Sequence, residues 1–220
     1  MKIFHSSLHI CMSFLLVCIY QTIGITITKE IDLLQAMKKL LRMGPKIVVI
    51  TSSELEEFPG LLGCYVMAVS GANNTMVDVS RVAVKKIDSI AASFTGTGDC
   101  SAALLLGWMH LLSFRTDLLS SSDELEIAGS NLGLALLNTI ESVQAVLRRT
   151  QVKQERFINS TEYSKLEGPD ALKAFKAQAT ELCLVESRFD ILNPPRVIKP
   201  DLDGTSTATS PVVNWTESFD

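Results

Sequence analysis

Basic charge, histidine and paired cysteines are all scarce in this chain of 220 residues. Lys and Arg number 20 against 24 Asp and Glu, a net charge of −4 that leaves no basic face for nonspecific binding to a nucleic-acid backbone. The five cysteines (Cys11, Cys18, Cys64, Cys100, Cys183) are odd in number and widely spaced, with no C-x-x-C and no adjacent histidine. That pattern argues against a disulfide scaffold and against a structural zinc site. Long apolar runs are missing too. The run Ile10 to Tyr20 has 11 residues, where a membrane span takes ~20. There is no Gly-x-x-x-x-Gly-Lys-Ser/Thr loop, no Gly-x-Gly-x-x-Gly after a strand and no His-Glu-x-x-His, which excludes P-loop, dinucleotide and zinc-protease chemistry of the usual kinds. What remains, 47% hydrophobic and 20% charged, is the composition of one globular domain with a sizeable core.

The apolar run near the start, with Lys2 ahead of it, matches the centre of a secretory signal peptide. No small-x-small cleavage site follows in Tyr20-Gln21-Thr22-Ile23-Gly24. Sequons at Asn73, Asn159 and Asn214 would suit secretion but arise readily by chance. The other reading is a leader from an alternative start, or an apolar segment that packs on the domain. Residues 1–27 are accordingly set apart as a leader. Cytoplasmic location is expected from the rest of the chain, with secretory entry as the alternative.

Thr28 can cap a helix running to Met43, with Leu33, Met37, Leu40 and Leu41 on one face and Gly44-Pro45 as its stop. Lys46 to Thr51 follows as a short β-branched run suited to a strand buried on both faces of a parallel sheet. Glu54 to Gly63 reads as a loop. Cys64 to Ser70 and Thr75 to Ile87 read as strands joined by Gly71-Ala72-Asn73-Asn74, with a phase change near Arg81 that suggests a bulge or bend. Gly98 to Phe114 is apolar nearly all round and is expected to be a central, buried helix. Asp123 to Gln151 has three-and-four spacing through Leu125, Ala128, Leu132, Leu136, Ile140, Val143 and Leu147. Its charges, Glu124 and Glu126 early and Arg148-Arg149 late, complement the helix dipole. A helix over 169–180 and a last strand over Glu181 to Val185 follow. Asn193-Pro194-Pro195 marks a boundary, and residues 199–220 read as a disordered tail.

Chemistry concentrates in Thr95-Gly96-Thr97-Gly98-Asp99. Two glycines around a threonine let successive N–H groups converge, and a helix begins at the same place, so a phosphate could be held there. Asp99 at its mouth could take a proton from an attacking hydroxyl. A plain helix cap with two turn glycines explains the same residues, and both readings stand at this point. Thr51-Ser52 lies at the carboxyl end of the buried strand, where open α/β sheets place ligands, or is simply a hydroxyl-rich turn. His110 and Trp108 read as core. Cys100, at the helix start, reads as packing, with a thiol pKa that the helix terminus would lower.

Gly44-Pro45 with Ile47-Val48-Val49-Ile50-Thr51-Ser52-Ser53 resembles the nucleotide-site strand of the pyridoxal kinases, in the ribokinase superfamily. So does Phe94-Thr95-Gly96-Thr97-Gly98-Asp99 running into Ala102-Ala103-Leu104-Leu105-Leu106-Gly107-Trp108. Val146-Leu147-Arg148-Arg149-Thr150 is similar to that family's long helix, and Glu181 to Ile191 to its C-terminal strand. The likeness covers residues 28–198, in order.

This resemblance implies a ribokinase-like three-layer α/β/α sandwich that lacks its N-terminal half, because nothing of that half is recognisable before Thr28. It implies transfer of a phosphoryl group from ATP to the 5′-hydroxyl of pyridoxal, with Mg²⁺ screening the phosphates and a monovalent cation as an optional companion. Asp99 would be the base, and Gly96, Thr97 and Gly98 the anion hole. Thr51, Ser52 and Thr97 would contact ATP, Thr51 also a cation, and Gly98 and Asp99 the acceptor. Ile90, Ala91 and Ala92 fall where the family meets the nucleotide base. B6 vitamers are the implied small-molecule partners, with neither nucleic acid nor a membrane span, and the full-length family is expected to be homodimeric. Cys100-Ser101 departs from the bulky apolar pair common there. Asn138-Thr139-Ile140-Glu141 has the form of the family's acidic metal motif but falls in the wrong place, and is read as chance. The rivals are a truncated, non-catalytic product and another kinase of the superfamily, such as one for hydroxymethylpyrimidine.

Overall fold

The alternation of apolar and polar residues builds one sheet. A computed structural model describes residues 10–12, 23–70, 75–85, 94–114, 131–160, 168–179, 181–195 and 212–219. Its strands are β1 (Ile10–Met12), β2 (Ile47–Ser53), β3 (Leu61–Ser70), β4 (Met76–Lys85) and β5 (Val212–Ser218), hydrogen-bonded in that order. Only β1 and β2 run parallel; the other three pairs are antiparallel. The buried β2 is therefore as expected, but its setting in a parallel sheet is not. Ile47, Val48, Val49 and Ile50 are all buried, because both faces of the strand are covered.

Helix α1 (Glu30–Arg42) lays Leu33, Leu34, Ala36, Met37 and Leu41 on the sheet face formed by Val48, Ile50, Tyr65, Met67, Val77 and Val79. Lys29, not Thr28, is its N-cap residue, and the Asp32 carboxylate accepts from the backbone N–H groups of Thr28 and Lys29 at 3.2 and 3.0 Å. Ile23 is buried in the same core, with Ile25 and Ile27 packed against it, so residues before 28 contribute to this core. The Lys39 ammonium ties that segment down by donating to the Ile23 carbonyl at 2.7 Å.

Four further expectations are corrected here. Strands β3 and β4 pair without a register break. The apparent phase change arises because Arg81 takes an inward position, paired with Glu30, where an apolar residue would otherwise sit. Residues 212–218 form β5 instead of a disordered tail. β-Branched Val212, Val213 and Thr216 suit a strand, Thr216 Oγ1 donates to Asp78 Oδ1 at 2.9 Å, and Lys38 pairs with Glu217 at 2.8 Å. Glu181 to Val185 forms only a single parallel bridge, Thr95 to Glu181, because the Cys183 N–H bonds the Thr150 hydroxyl at 3.0 Å and the chain then turns. Finally, α2 (Thr97–Phe114) is not wholly buried: Ser101, Leu105 and Leu112 are covered, while Leu106 and Leu111 are about half exposed.

The chain divides into two compact units. The sheet unit comprises Met1–Lys86, Met109–Leu137 and Ile198–Asp220, and the helical unit comprises Ile87–Trp108 and Asn138–Val197. Helix α3 (Asn131–Ile158) runs seven residues beyond the predicted end at Gln151. Its predicted start at Asp123, with Glu124, Leu125, Glu126 and Ala128, lies outside the described residues, as does the turn at 71–74. Helices α4 (Pro169–Ala179) and α5 (Arg188–Leu192) complete the described elements. Among the described residues no helix is long and apolar enough to cross a membrane.

Candidate active site

In the helical unit, the Gly-Thr-Gly-Asp element is the start of α2. Gly96 has φ of 85°, a left-handed conformation that side chains with a Cβ resist, and it turns the chain into the helix. The first helical bond runs from the Cys100 N–H to the Gly96 carbonyl at 3.0 Å. The N–H groups of Thr97, Gly98 and Asp99 therefore have no carbonyl one turn back within the helix to accept from them. Among the described residues, a Cβ on Gly96 or Gly98 would meet no other atom within 4 Å. Asp99 is exposed, in the first turn of α2. Behind it the Ser101 hydroxyl, buried, donates to the Thr97 carbonyl at 2.7 Å and stiffens that turn. This arrangement can accept an anion and offer a carboxylate beside it. Burial raises the Cys100 thiol pKa, contrary to the lowering expected from the helix terminus.

In the sheet unit, Thr51 and Ser52 sit in a break in the ladder. Ile50 pairs with Tyr65 and Ser53 with Gly63, so two residues of β2 oppose the single residue Cys64 of β3. This is a β-bulge, a device that redirects the chain at the end of a strand. The Cys64 thiol donates to the Thr51 carbonyl at 2.8 Å, and the Ser53 hydroxyl donates to the Gly63 carbonyl at 2.9 Å. Desolvation pushes the Cys64 thiol up to about 12. Ile90, Ala91 and Ala92 lie outside the described residues.

Some features were missed in the sequence. Arg81 Nη1 meets Glu30 Oε1 at 2.7 Å, the Tyr65 hydroxyl donates to the same oxygen at 3.0 Å, and the Arg81 guanidinium stacks 4.6 Å from the Phe58 ring centre. Burial, then the Glu30 charge, raises the Tyr65 pKa well above its ordinary value. Only the period-two line of Val77 and Val79, which Arg81 continues, could have hinted at this pair. In the helical unit a groove of about 620 Å³ is lined by Arg149, Lys153, Arg156, Phe157, Gln178 and Glu186 among others, and contains none of the predicted site residues. His110 is exposed and Trp108 half-buried, so neither is deep core. Asn138, Thr139 and Glu141 are buried within α3.

No family model matches the chain. Among curated proteins, pyridoxal kinase from Sus scrofa is 32% identical over 180 residues, 80% of this chain and 47% of that protein. Pyridoxal kinase from Arabidopsis thaliana is 29% identical over 178 residues, 81% of this chain and 46% of its own length. The chain resembles about half of a pyridoxal kinase. Two solved pyridoxal kinase structures share its fold. That from Leishmania donovani in complex with ADP and ginkgotoxin has a TM-score of 0.53 at 14% identity, covering 90% of this chain and 48% of that one. That from Entamoeba histolytica also gives 0.53 at 14% identity, covering 86% and 49%. The chain spans about half the length of the curated pyridoxal kinases it matches. The fold class expected for it, α/β and ribokinase-like, is the one observed.

Proposed function

We propose that this chain is a pyridoxal kinase-type phosphotransferase that binds ATP through the α2 turn and the β2 bulge. The observation that carries this is the Gly96 turn, which opens α2 with exposed Asp99 in its first turn. Relatives named pyridoxal kinase support the same reading. So does a structural neighbour that holds ADP and pyridoxine, with a TM-score of 0.53.

In this reading Asp99 takes the proton from the 5′-hydroxyl of pyridoxal, and that oxygen attacks the γ-phosphorus of ATP. The new oxygen–phosphorus bond forms as the bond to the β-phosphate oxygen breaks, giving pyridoxal 5′-phosphate and ADP. The N–H groups of Thr97 and Gly98 hold the transferring phosphoryl oxygens, where α2's positive end favours developing charge. Gly98 and Asp99 face the acceptor. Thr51 and Ser52 contact the nucleotide phosphates, and Ile90 to Ala92 the base. Mg²⁺ enters as MgATP. Among the described residues no three His, Cys, Asp or Glu side chains converge on one point. The hard hydroxyl oxygen of Thr51 would suit a cation that accompanies the nucleotide phosphates, whether Mg²⁺ or a monovalent ion. B6 vitamers as acceptors, a homodimer and a cytoplasmic location belong to the same proposal.

The half-length match favours a second reading, in which the chain holds nucleotide without turnover. Titrating the purified 220-residue chain with MgATP, then assaying pyridoxal 5′-phosphate, separates the two. Binding with product supports the kinase, and binding without product supports the second reading. Absence of binding overturns both. Phosphorylation of hydroxymethylpyrimidine in preference to pyridoxal would reassign the acceptor.

A further inference from the structure

Two side-chain hydrogen bonds cross between the strands at the β2 bulge. Thr51 and Ser52 together oppose Cys64 in the register of the two strands. The Thr51 carbonyl accepts from the Cys64 thiol at 2.8 Å. One residue farther along, the Ser53 hydroxyl bonds the Gly63 carbonyl at 2.9 Å across the same two strands. Gly63 is required there: a Cβ would lie 2.7 Å from the Tyr65 ring and 3.1 Å from the Ser53 hydroxyl. The register change is thus fixed on both sides, by a thiol at its mouth and a hydroxyl beyond it.

We infer that Cys64 is a positioning residue for the nucleotide site, its thiol clamping the bulged backbone at Thr51 so that Thr51 and Ser52 meet the ATP phosphates in one geometry. The inference rests on the nucleotide reading proposed above. It also assigns Cys64 a task that packing alone does not contain. A cysteine kept for volume is replaceable by valine, which fits a strand and fills similar space. A cysteine kept for its donor is replaceable by serine.

The test compares the 220-residue chain with Cys64→Val and Cys64→Ser, in two measurements. Amide hydrogen exchange is followed at residues 48–54 without nucleotide, and MgATP affinity is measured by calorimetry. Cys64→Val should speed exchange at 51–53 by about tenfold while Val48 and Val49 keep their protection, the loss expected for one part-buried hydrogen bond. It should also weaken MgATP by about tenfold, and Cys64→Ser should restore most of both. Unchanged exchange at 51–53 in Cys64→Val, or equal behaviour of the valine and serine variants, would overturn the inference. Should Cys64→Val fail to fold, Ser53→Ala in the Cys64→Ser background serves in its place: exchange confined to 53 upholds the thiol-side clamp, and exchange spreading to 51 refutes it. A wild-type chain that does not bind MgATP overturns the nucleotide reading and the positioning role with it. The exchange measurement then decides only whether the thiol clamps the bulge, which keeps the two failures distinguishable.

Discussion

The sheet unit buries an arginine, a carboxylate and a tyrosine as one bonded group, whereas the ion pairs described in the helical unit lie at its surface, beside much exposed apolar surface. In the sheet unit Tyr65 is fully buried, yet its hydroxyl has a carboxylate to bond and that carboxylate has a guanidinium. Such a network is costly to open, because removing one member strands the others in a low-dielectric core. In the helical unit Arg149 pairs with Asp190 and Lys153 with Glu186 at the surface. Val185, Phe189 and Leu192 are each more than 60% exposed there. The difference bears on the two halves of the proposed chemistry. Thr51 sits at the edge of a sealed core that can hold a phosphate contact rigidly, and Asp99 sits on an open turn where an acceptor can arrive.

The largest effect should come from the open turn. Asp99→Asn should lower the rate of pyridoxal 5′-phosphate formation by ~10²–10⁴-fold, the usual contribution of a general base, and leave MgATP affinity almost unchanged. Full activity in that variant would remove Asp99 from the mechanism and leave it a simple member of the helix's first turn.

Next comes the buried pair. Arg81→Leu leaves the Glu30 carboxylate and Tyr65 hydroxyl without their cation, and should cost about 3 kcal/mol in urea unfolding followed by a probe in the sheet. A loss below about 1 kcal/mol would show that the pair is solvated like a surface one.

A smaller, graded effect should appear in alkali. Cys64 and Tyr65 both have pKa values raised in the folded chain, Cys64 to about 12 from 9.0. Above pH 9 the unfolded chain gives up these protons more readily than the folded one. Stability from Cys64 is therefore complete below pH 9 and is lost as pH climbs toward 12. The slope should approach about 1.4 kcal/mol per pH unit for a group that titrates only when unfolded. Urea midpoints at pH 8, 9.5 and 10.5 would measure it, and Cys64→Val should flatten the first part of the fall. At the other extreme, Lys153→Met in the helical unit should leave the unfolding midpoint where it was at moderate salt, since exposed pairs contribute little. A clear drop would mean that the helical unit is better sealed than its exposed side chains indicate.

Local features were legible in the sequence and distant ones were not. The stripe of Leu33, Met37 and Leu41, the Gly44-Pro45 stop, the β-branched run of β2 and the glycine turn before α2 are each set within a few residues, by periodicity or by backbone freedom. The pairing of Arg81 with Glu30, 51 residues away, depends on which strand faces α1. Strand β5 exists because β4 offers it an edge, 138 residues from Thr216 to Asp78. The bulge is a property of two strands in register: Thr51-Ser52 was noticed for its hydroxyls, while Cys64 gave no sign of its role until Tyr65 and Gly63 had fixed the pairing. Glu181 to Val185 alternates like a strand, but the Thr150 hydroxyl on α3 captures one of its N–H groups, which no local pattern reveals.

The account stands most directly on whether the glycine turn of α2 receives a nucleotide phosphate. Calorimetric titration of the 220-residue chain with MgATP, alongside Gly96→Val, tests it. Valine resists the φ of 85° held at Gly96, and should tip the N–H groups of Thr97 and Gly98 out of line without touching the sheet core. The account predicts saturable binding at one site per chain, weakened by at least about tenfold in Gly96→Val, with the sheet's unfolding midpoint unchanged. Equal binding by both proteins, or none by either, would contradict it.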